Sequence, residues 1–273
     1  MTLKGANILS AAQFSRGDFE RLFSQANEFE MALQKGERRR LLDGKILATL
    51  FFNPSTGTRL SFESAMQRLG GGVISVEDAK NAGTVNESLE DAVRSIAQYV
   101  ETIVLRHSET GAARTAADAS PVPIINAGDG AGETPTQALA DLYTIWKEKK
   151  EIDGLRVAIA GDLKNGSEAH SLARALGAFQ VDISLIAPAA IAMPLEISDW
   201  LRQSGRSVEE MNDLGRALQK ADVVYMTSVQ REFFPDQKQF EKMKNFYVLN
   251  ASTLRRRRKI SSFCIRSHPL ARC

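Results

Sequence analysis

Cysteine is nearly missing from this chain. Its 273 residues include two, Cys264 and Cys273, both within the last ten positions. That excludes a disulfide framework and a cysteine-built metal site. Long apolar runs are missing too: none is long enough to span a bilayer. The opening stretch MTLKGANILSAAQFSRGDFERL has neither a basic-then-apolar signal pattern nor an Arg-rich transit pattern. A cytoplasmic protein with no membrane partner is the expectation. Neither G-x-x-x-x-G-K-[ST] nor G-x-G-x-x-G occurs, so a P-loop and a dinucleotide site are unsupported. The segment AGDLKNGS has a glycine turn after an apolar run, but the wrong spacing.

Acidic residues are absent from Arg255 onward, where seven basic residues (Arg255, Arg256, Arg257, Arg258, Lys259, Arg266 and Arg272) gather. The overall net charge of +2 therefore hides a body of charge −5, with 28 basic against 33 acidic residues. The RRRRK run lacks interleaved aromatics and reads as a solvated helix end or linker, so no nucleic-acid partner is expected.

What is present is a globular composition, 43% hydrophobic and 25% charged, in a chain long enough for two ordinary domains. Phe19, Leu22, Phe23, Ala26, Phe29 and Leu33 recur at helical steps behind Ser15, a good N-cap. KILATLFF (45–52) reads as a buried strand. A helix carrying Leu60, Phe62, Ala65, Met66 and Leu69 follows and stops at Gly70-Gly71. GGVISVED, ETIVLRH and PVPIINAGDG read as further strands, with a helical segment from about Ser88 to Val100. Thr134 and Pro135 supply an N-cap and N1 proline for a helix to about Lys150. After Asp153-Gly154 the rhythm restarts: strands in LRVAIAGD, VDISLIAP and ADVVYMTSV, and helices over 168–179, 194–203 and 212–220. The fold expected is α/β, with two doubly wound parallel-sheet domains over residues 1–150 and 151–273. Ligands in such sheets bind beyond the carboxyl ends of the strands. The loops 53–58, 106–110, 126–133, 162–167 and 228–232 all follow strands.

In the first of these loops Ser55, Thr56 and Thr58 stand where a helix opens near Arg59, and hydroxyls, backbone N–H groups and the positive helix end together make an anion site. An ordinary capped helix would read the same way. Gly57 sits at its centre, where a phosphate site would place a cation.

Five motifs in order, FFNPSTGTRLSFESAMQRLGG, VLRHSETGAAR, INAGDGAGETPTQALADLYTI, GDLKNGSEAHSLARAL and HPLAR, make the chain resemble the aspartate carbamoyltransferase catalytic chains, within the aspartate/ornithine carbamoyltransferase superfamily. The resemblance implies a carbamoyl-phosphate domain followed by an aspartate domain, amine attack on the carbamoyl carbon, loss of phosphate, and no metal or organic cofactor. It implies roles for Ser55, Thr56 and Thr58 on the phosphate, for Arg106 on both the phosphate and the carbonyl oxygen, for Gln137 and the carbonyls of Pro269 and Leu270 on the carbamoyl group, and for Gln230 in the aspartate pocket, with Arg106 and Thr58 as the catalytic residues.

It also marks departures. Gly57 replaces the middle arginine of the family loop. Glu133 is read at the family histidine before Pro-Thr-Gln. Ser167 and Ser228 replace two arginines of the aspartate pocket. Thr84-Val85-Asn86-Glu87-Ser88 replaces the lysine loop that a neighbouring subunit inserts, with Val85 at the lysine. HPLPR has become His268-Pro269-Leu270-Ala271-Arg272. A carboxylate about 4 Å from a bound anion would be repelled by roughly 4 kcal/mol at an effective dielectric near 20. The expectation is an impaired or inactive homologue with a structural or regulatory role, as a homotrimer or beside an active paralogue or pathway enzyme, and with weak affinity for carbamoyl phosphate or phosphate. The alternatives are an active carbamoyltransferase with another amine acceptor and a small-anion binder without turnover. Family members continue past HPLPR into a long helix, which this chain is expected to lack.

Overall fold

The computed structural model describes residues 3–76, 88–229, 231–234, 236–244, 246–247 and 263–266. The chain divides into two compact units, Met1–Gln137 and Ala138–Cys273.

The first unit opens with a short 3₁₀ turn, Ala11–Gln13, and helix α1, Arg16–Gln34. Ser15 and Asp18 close a reciprocal capping box at the start of α1. Four strands follow: β1 (Ile46–Phe51), β2 (Gly72–Val76), β3 (Thr102–His107) and β4 (Ile124–Asp129). Between them run α2 (Thr56–Arg68), α3 (Leu89–Ile96) and α4 (Ala112–Ala119). The sheet is parallel throughout, in the order β2-β1-β3-β4.

Alternation along the strands explains why helices cover both faces. Ala48, Leu50, Ile103 and Leu105 pack into one core with Val93 of α3 and Ala113, Ala116 and Ala117 of α4. Leu47, Phe51 and Val104 point the other way, toward Met66 of α2. Thr49 is a fully buried polar residue in β1. Its hydroxyl donates to Glu63 of α2 at 3.1 Å, and Ser75 of β2 donates to the same carboxylate at 2.6 Å.

The second unit contains α5 (Pro135–Lys149, all but its first three residues), β5 (Arg156–Ala160), α6 (Ser167–Leu176), β6 (Asp182–Ile186), α7 (Leu195–Gln203), β7 (Ser207–Met211), α8 (Leu214–Lys220), β8 (Val223–Met226), α9 (Gln237–Met243) and β9 (Phe263–Arg266). Its sheet is parallel in the order β7-β6-β5-β8-β9. Tyr225 of β8 is fully buried and donates its hydroxyl to Asp141 of α5 at 3.0 Å. Burial, then the Asp141 charge, pushes the phenol well above its ordinary pKa.

Two doubly wound parallel α/β units are thus present, as the strand–helix rhythm indicates. α4, α9, β7 and β9 come from stretches that the periodicity passes over.

Candidate functional site

Topology selects one place in each sheet. In the order β2-β1-β3-β4 the connection from β1 to β2 and that from β3 to β4 run in opposite directions, so the crevice lies beyond the carboxyl ends of β1 and β3. In β7-β6-β5-β8 the same reversal falls between β5 and β8.

At the first of these points Arg106 of β3 pairs in register with Phe51 of β1. The backbone N–H of Phe52 donates to the Arg106 carbonyl at 2.9 Å. Four residues beyond Phe51 comes Ser55, whose hydroxyl donates to Thr58 Oγ1 at 2.9 Å and makes no cap bond to the helix amides. Arg106 and the hydroxyl loop therefore lie at the ends of neighbouring strands. Gly57 stands in the first turn of α2 with ordinary φ, and a Cβ built there meets nothing within 4 Å. Neither backbone strain nor crowding requires glycine. Arg59, the next cation, is drawn to Glu63 at 3.6 Å.

Arg106 lies flat against the end of β4. Its Nη1 donates to the Ala127 carbonyl at 2.8 Å. Gly128 (φ 124°) makes that possible: a Cβ there would sit 2.5 Å from Arg106 Nη1 and 3.6 Å from Thr134 Oγ1. Arg106 and Thr134 thus border one spot over Gly128.

This corrects the sequence reading at 133. The residue directly before Pro135-Thr136-Gln137 is Thr134, which is buried and stands beside Arg106's guanidinium across Gly128. The Glu133 carboxylate is committed elsewhere. Oε1 accepts from the Ser10 hydroxyl at 2.5 Å, and Oε2 from the Ala11 N–H at 2.8 Å. In place of the repulsion expected of Glu133, its carboxylate caps the 3₁₀ turn. The motif Thr-Pro-Thr-Gln, counted back from Gln137, held the signal for Thr134. The partnership with Ser10, 123 residues distant, had none.

Asp129 binds the surrounding loops. Oδ1 accepts from Asn126 Nδ2 at 3.1 Å and from Glu133 N at 2.9 Å, while Oδ2 accepts from Gly111 N at 3.0 Å. Gln137 lies in the first turn of α5, its N–H donating to the Thr134 carbonyl at 3.1 Å.

At the second point the loops after β5 and β8 are tied to each other: Thr227 Oγ1 donates to the Asp162 carbonyl at 3.2 Å. Asp162 Oδ1 turns the chain by accepting from the N–H groups of Lys164 (3.2 Å) and Asn165 (3.0 Å). Ser167 then opens α6 with 9% of its surface exposed, and Ser228 follows β8 in an exposed position. His170 is buried, its Nε2 2.8 Å from the Leu163 carbonyl. A cavity of about 430 Å³ elsewhere in this unit, lined by Leu163, Leu185, Met193, Glu210, Met211 and Asn212, includes none of these candidates.

Gln230, Val85, Pro269, Leu270 and the RRRRK run lie outside the described residues. Among the described residues no group of three or more His, Cys, Asp or Glu side chains could hold a metal ion, and no helix is long and apolar enough to cross a membrane.

Residues 6–147 match the family model "Aspartate/ornithine carbamoyltransferase, carbamoyl-P binding domain", and residues 153–268 match "Aspartate/ornithine carbamoyltransferase, Asp/Orn binding domain". The chain belongs to this family. An aspartate carbamoyltransferase catalytic subunit from Methanopyrus kandleri is 49% identical over 97% of the chain and 85% of that protein. One from Thermococcus onnurineus is 44% identical over 100% and 87%. The crystal structure of aspartate transcarbamoylase from Trypanosoma cruzi in complex with carbamoyl phosphate superposes with a TM-score of 0.92 at 34% identity, covering 98% of this chain and 86% of that one. The catalytic subunit of M. jannaschii aspartate transcarbamoylase gives 0.86 at 39% identity, covering 97% and 86%. Each of the two matched regions contains one of the two switch points just described.

Proposed function

We propose that this chain is an aspartate carbamoyltransferase homologue that keeps the family framework and has lost most of the family reaction. That reaction joins carbamoyl phosphate and L-aspartate into N-carbamoyl-L-aspartate and phosphate, a step of pyrimidine synthesis. Its remaining role is structural or regulatory, in a cytoplasmic trimer with itself or with an active paralogue.

The observation that carries the proposal is Gly57. Gly57 shares the first turn of α2 with the Ser55–Thr58 hydroxyls, Arg106 ends the neighbouring strand, and a Cβ built at Gly57 meets nothing within 4 Å, which supports reading the position as one that has given up a cation. Thr134, Ser167 and Ser228 repeat the substitution of neutral groups for charged or basic ones at the other sites the resemblance names. The loss of one such donor to a developing oxyanion costs about 2.7–4 kcal/mol, or ~10²–10³ in rate. Groups that act together do not add, but losses on both the phosphate side and the acceptor side leave little turnover.

The test is transfer of labelled carbamoyl groups from carbamoyl phosphate to aspartate and to a panel of amines. The expected result is product with aspartate, if any, at a rate orders of magnitude below that of an active family member. Turnover with aspartate at the rate of an active family member would refute the proposal. Transfer to a smaller or uncharged amine would favour the second reading, which Ser167 and Ser228 support: neutral groups where the resemblance places two arginines suit an acceptor without carboxylates.

A further inference from the structure

The N-terminal segment is fastened to β4 and to the loop after it at several points. Ile8 forms a parallel bridge with Ile125: its N–H donates to the Ile124 carbonyl, and its carbonyl accepts from Asn126 N, both at 2.8 Å. Asn7 Oδ1 accepts from Ile124 N at 2.8 Å, and the Leu9 carbonyl from Asn126 Nδ2 at 3.2 Å. Ser10 and Ala11 then donate to the two oxygens of Glu133.

Glu133 is held at its backbone as well. Its N–H donates to Asp129 Oδ1 at 2.9 Å, and its carbonyl accepts from Asn126 Nδ2 at 3.1 Å. The next residue is Thr134, which borders Arg106 across Gly128. A side chain fixed at both carboxylate oxygens, on a backbone fixed at both polar groups, leaves its neighbour little rotational choice.

We infer that Glu133 is a positioning residue, which uses the N-terminal segment as its anchor to set Thr134 beside the Arg106 guanidinium. This rests on the reading of Arg106 and the Ser55–Thr58 loop as an anion site. It reverses the sign of the charge argument. A carboxylate facing the anion would weaken phosphate binding, whereas a carboxylate that orders the loop strengthens it.

The full chain and its Glu133→Ala, Glu133→Gln and Ser10→Ala variants are compared by amide hydrogen exchange and by titration with inorganic phosphate. A lost charged hydrogen bond speeds exchange about tenfold or more. In Glu133→Ala that acceleration is expected in segments 7–13 and 126–137 and not in α6, together with weaker phosphate binding. Ser10→Ala should accelerate the same segments to a lesser degree. Glu133→Gln should recover most of the protection, since its amide can accept from Ala11 N–H and donate to Ser10 Oγ. Tighter phosphate binding in Glu133→Ala would overturn the inference. So would unchanged exchange in the two segments, a uniform acceleration across the first unit, or a parent chain that binds no phosphate at all. Transfer activity is no part of the readout, so an active enzyme would refute the proposed loss of function and leave this inference standing.

Discussion

Replacing Gly57 with arginine separates the cost of a charge from its use. The residue lies in the first turn of α2, with ordinary φ and open space around a built Cβ, so the substitution meets no steric penalty. Two small terms act on stability. Removing a helical glycine gains up to about 1 kcal/mol. A cation at a helix N-terminus loses about 0.3–1 kcal/mol. They nearly cancel, so the unfolding midpoint should hardly move. Binding should respond differently. A charged hydrogen bond to phosphate is worth about 1.5–3 kcal/mol, a tightening of roughly 10- to 150-fold. Calorimetric titration with phosphate and with carbamoyl phosphate measures it. Gly57→Ala is the control, with the stability gain and no gain in affinity. Gly57→Arg with unaltered phosphate affinity would refute the claim that position 57 is the missing grip. A stability loss in Gly57→Ala would refute the reading of an unconstrained glycine.

Two further predictions concern the frame around the site. Gly128→Ala places a Cβ 2.5 Å from Arg106 Nη1 at a φ of 124°. It should cost about 1–3 kcal/mol in urea unfolding and weaken phosphate binding at the same time; a neutral effect on both would show that Arg106 is not packed against this turn. Asp18 carries a pH dependence. The Ser15 hydroxyl, then the Ser15 backbone N–H, hold its carboxyl down at about 2. A depressed carboxylate stabilises above its unfolded value, near 3.9, and that stabilisation drains away as pH falls from about 4 toward about 2. Asp18→Asn should flatten the acid limb of the stability curve over that window. An acid limb identical in both proteins would count against the capping box as its source.

The buried strands were legible because β1, β3 and β5 are apolar runs flanked by turn residues. β7, reading SVEEM, was not, because it lies at a sheet edge with most of its residues exposed and needs no apolar pattern. α4 was missed for a related reason. AARTAADA packs through Ala112, Ala113, Ala116 and Ala117, and small side chains give a weak periodic signal although they are buried. At the site, the residue types and their loops could be read from motifs, since each follows a strand. The direction of a side chain could not. Glu133 was weighed as a charge beside an anion, but a contact between residues 10 and 133 belongs to the folded chain alone.

The bridge from Ile8 to Ile125 also bears on solubility. β4 is an outer strand of its sheet, and residues 7–9 occupy its free rim through hydrogen bonds to Ile124 and Asn126. A bare outer strand is a template for pairing with other molecules. A chain begun at residue 11 would therefore be expected to self-associate at concentrations where the full chain stays dispersed, whatever remains of its chemistry. Residues 7–10 then act as a guard on the sheet as well as a brace for the loop.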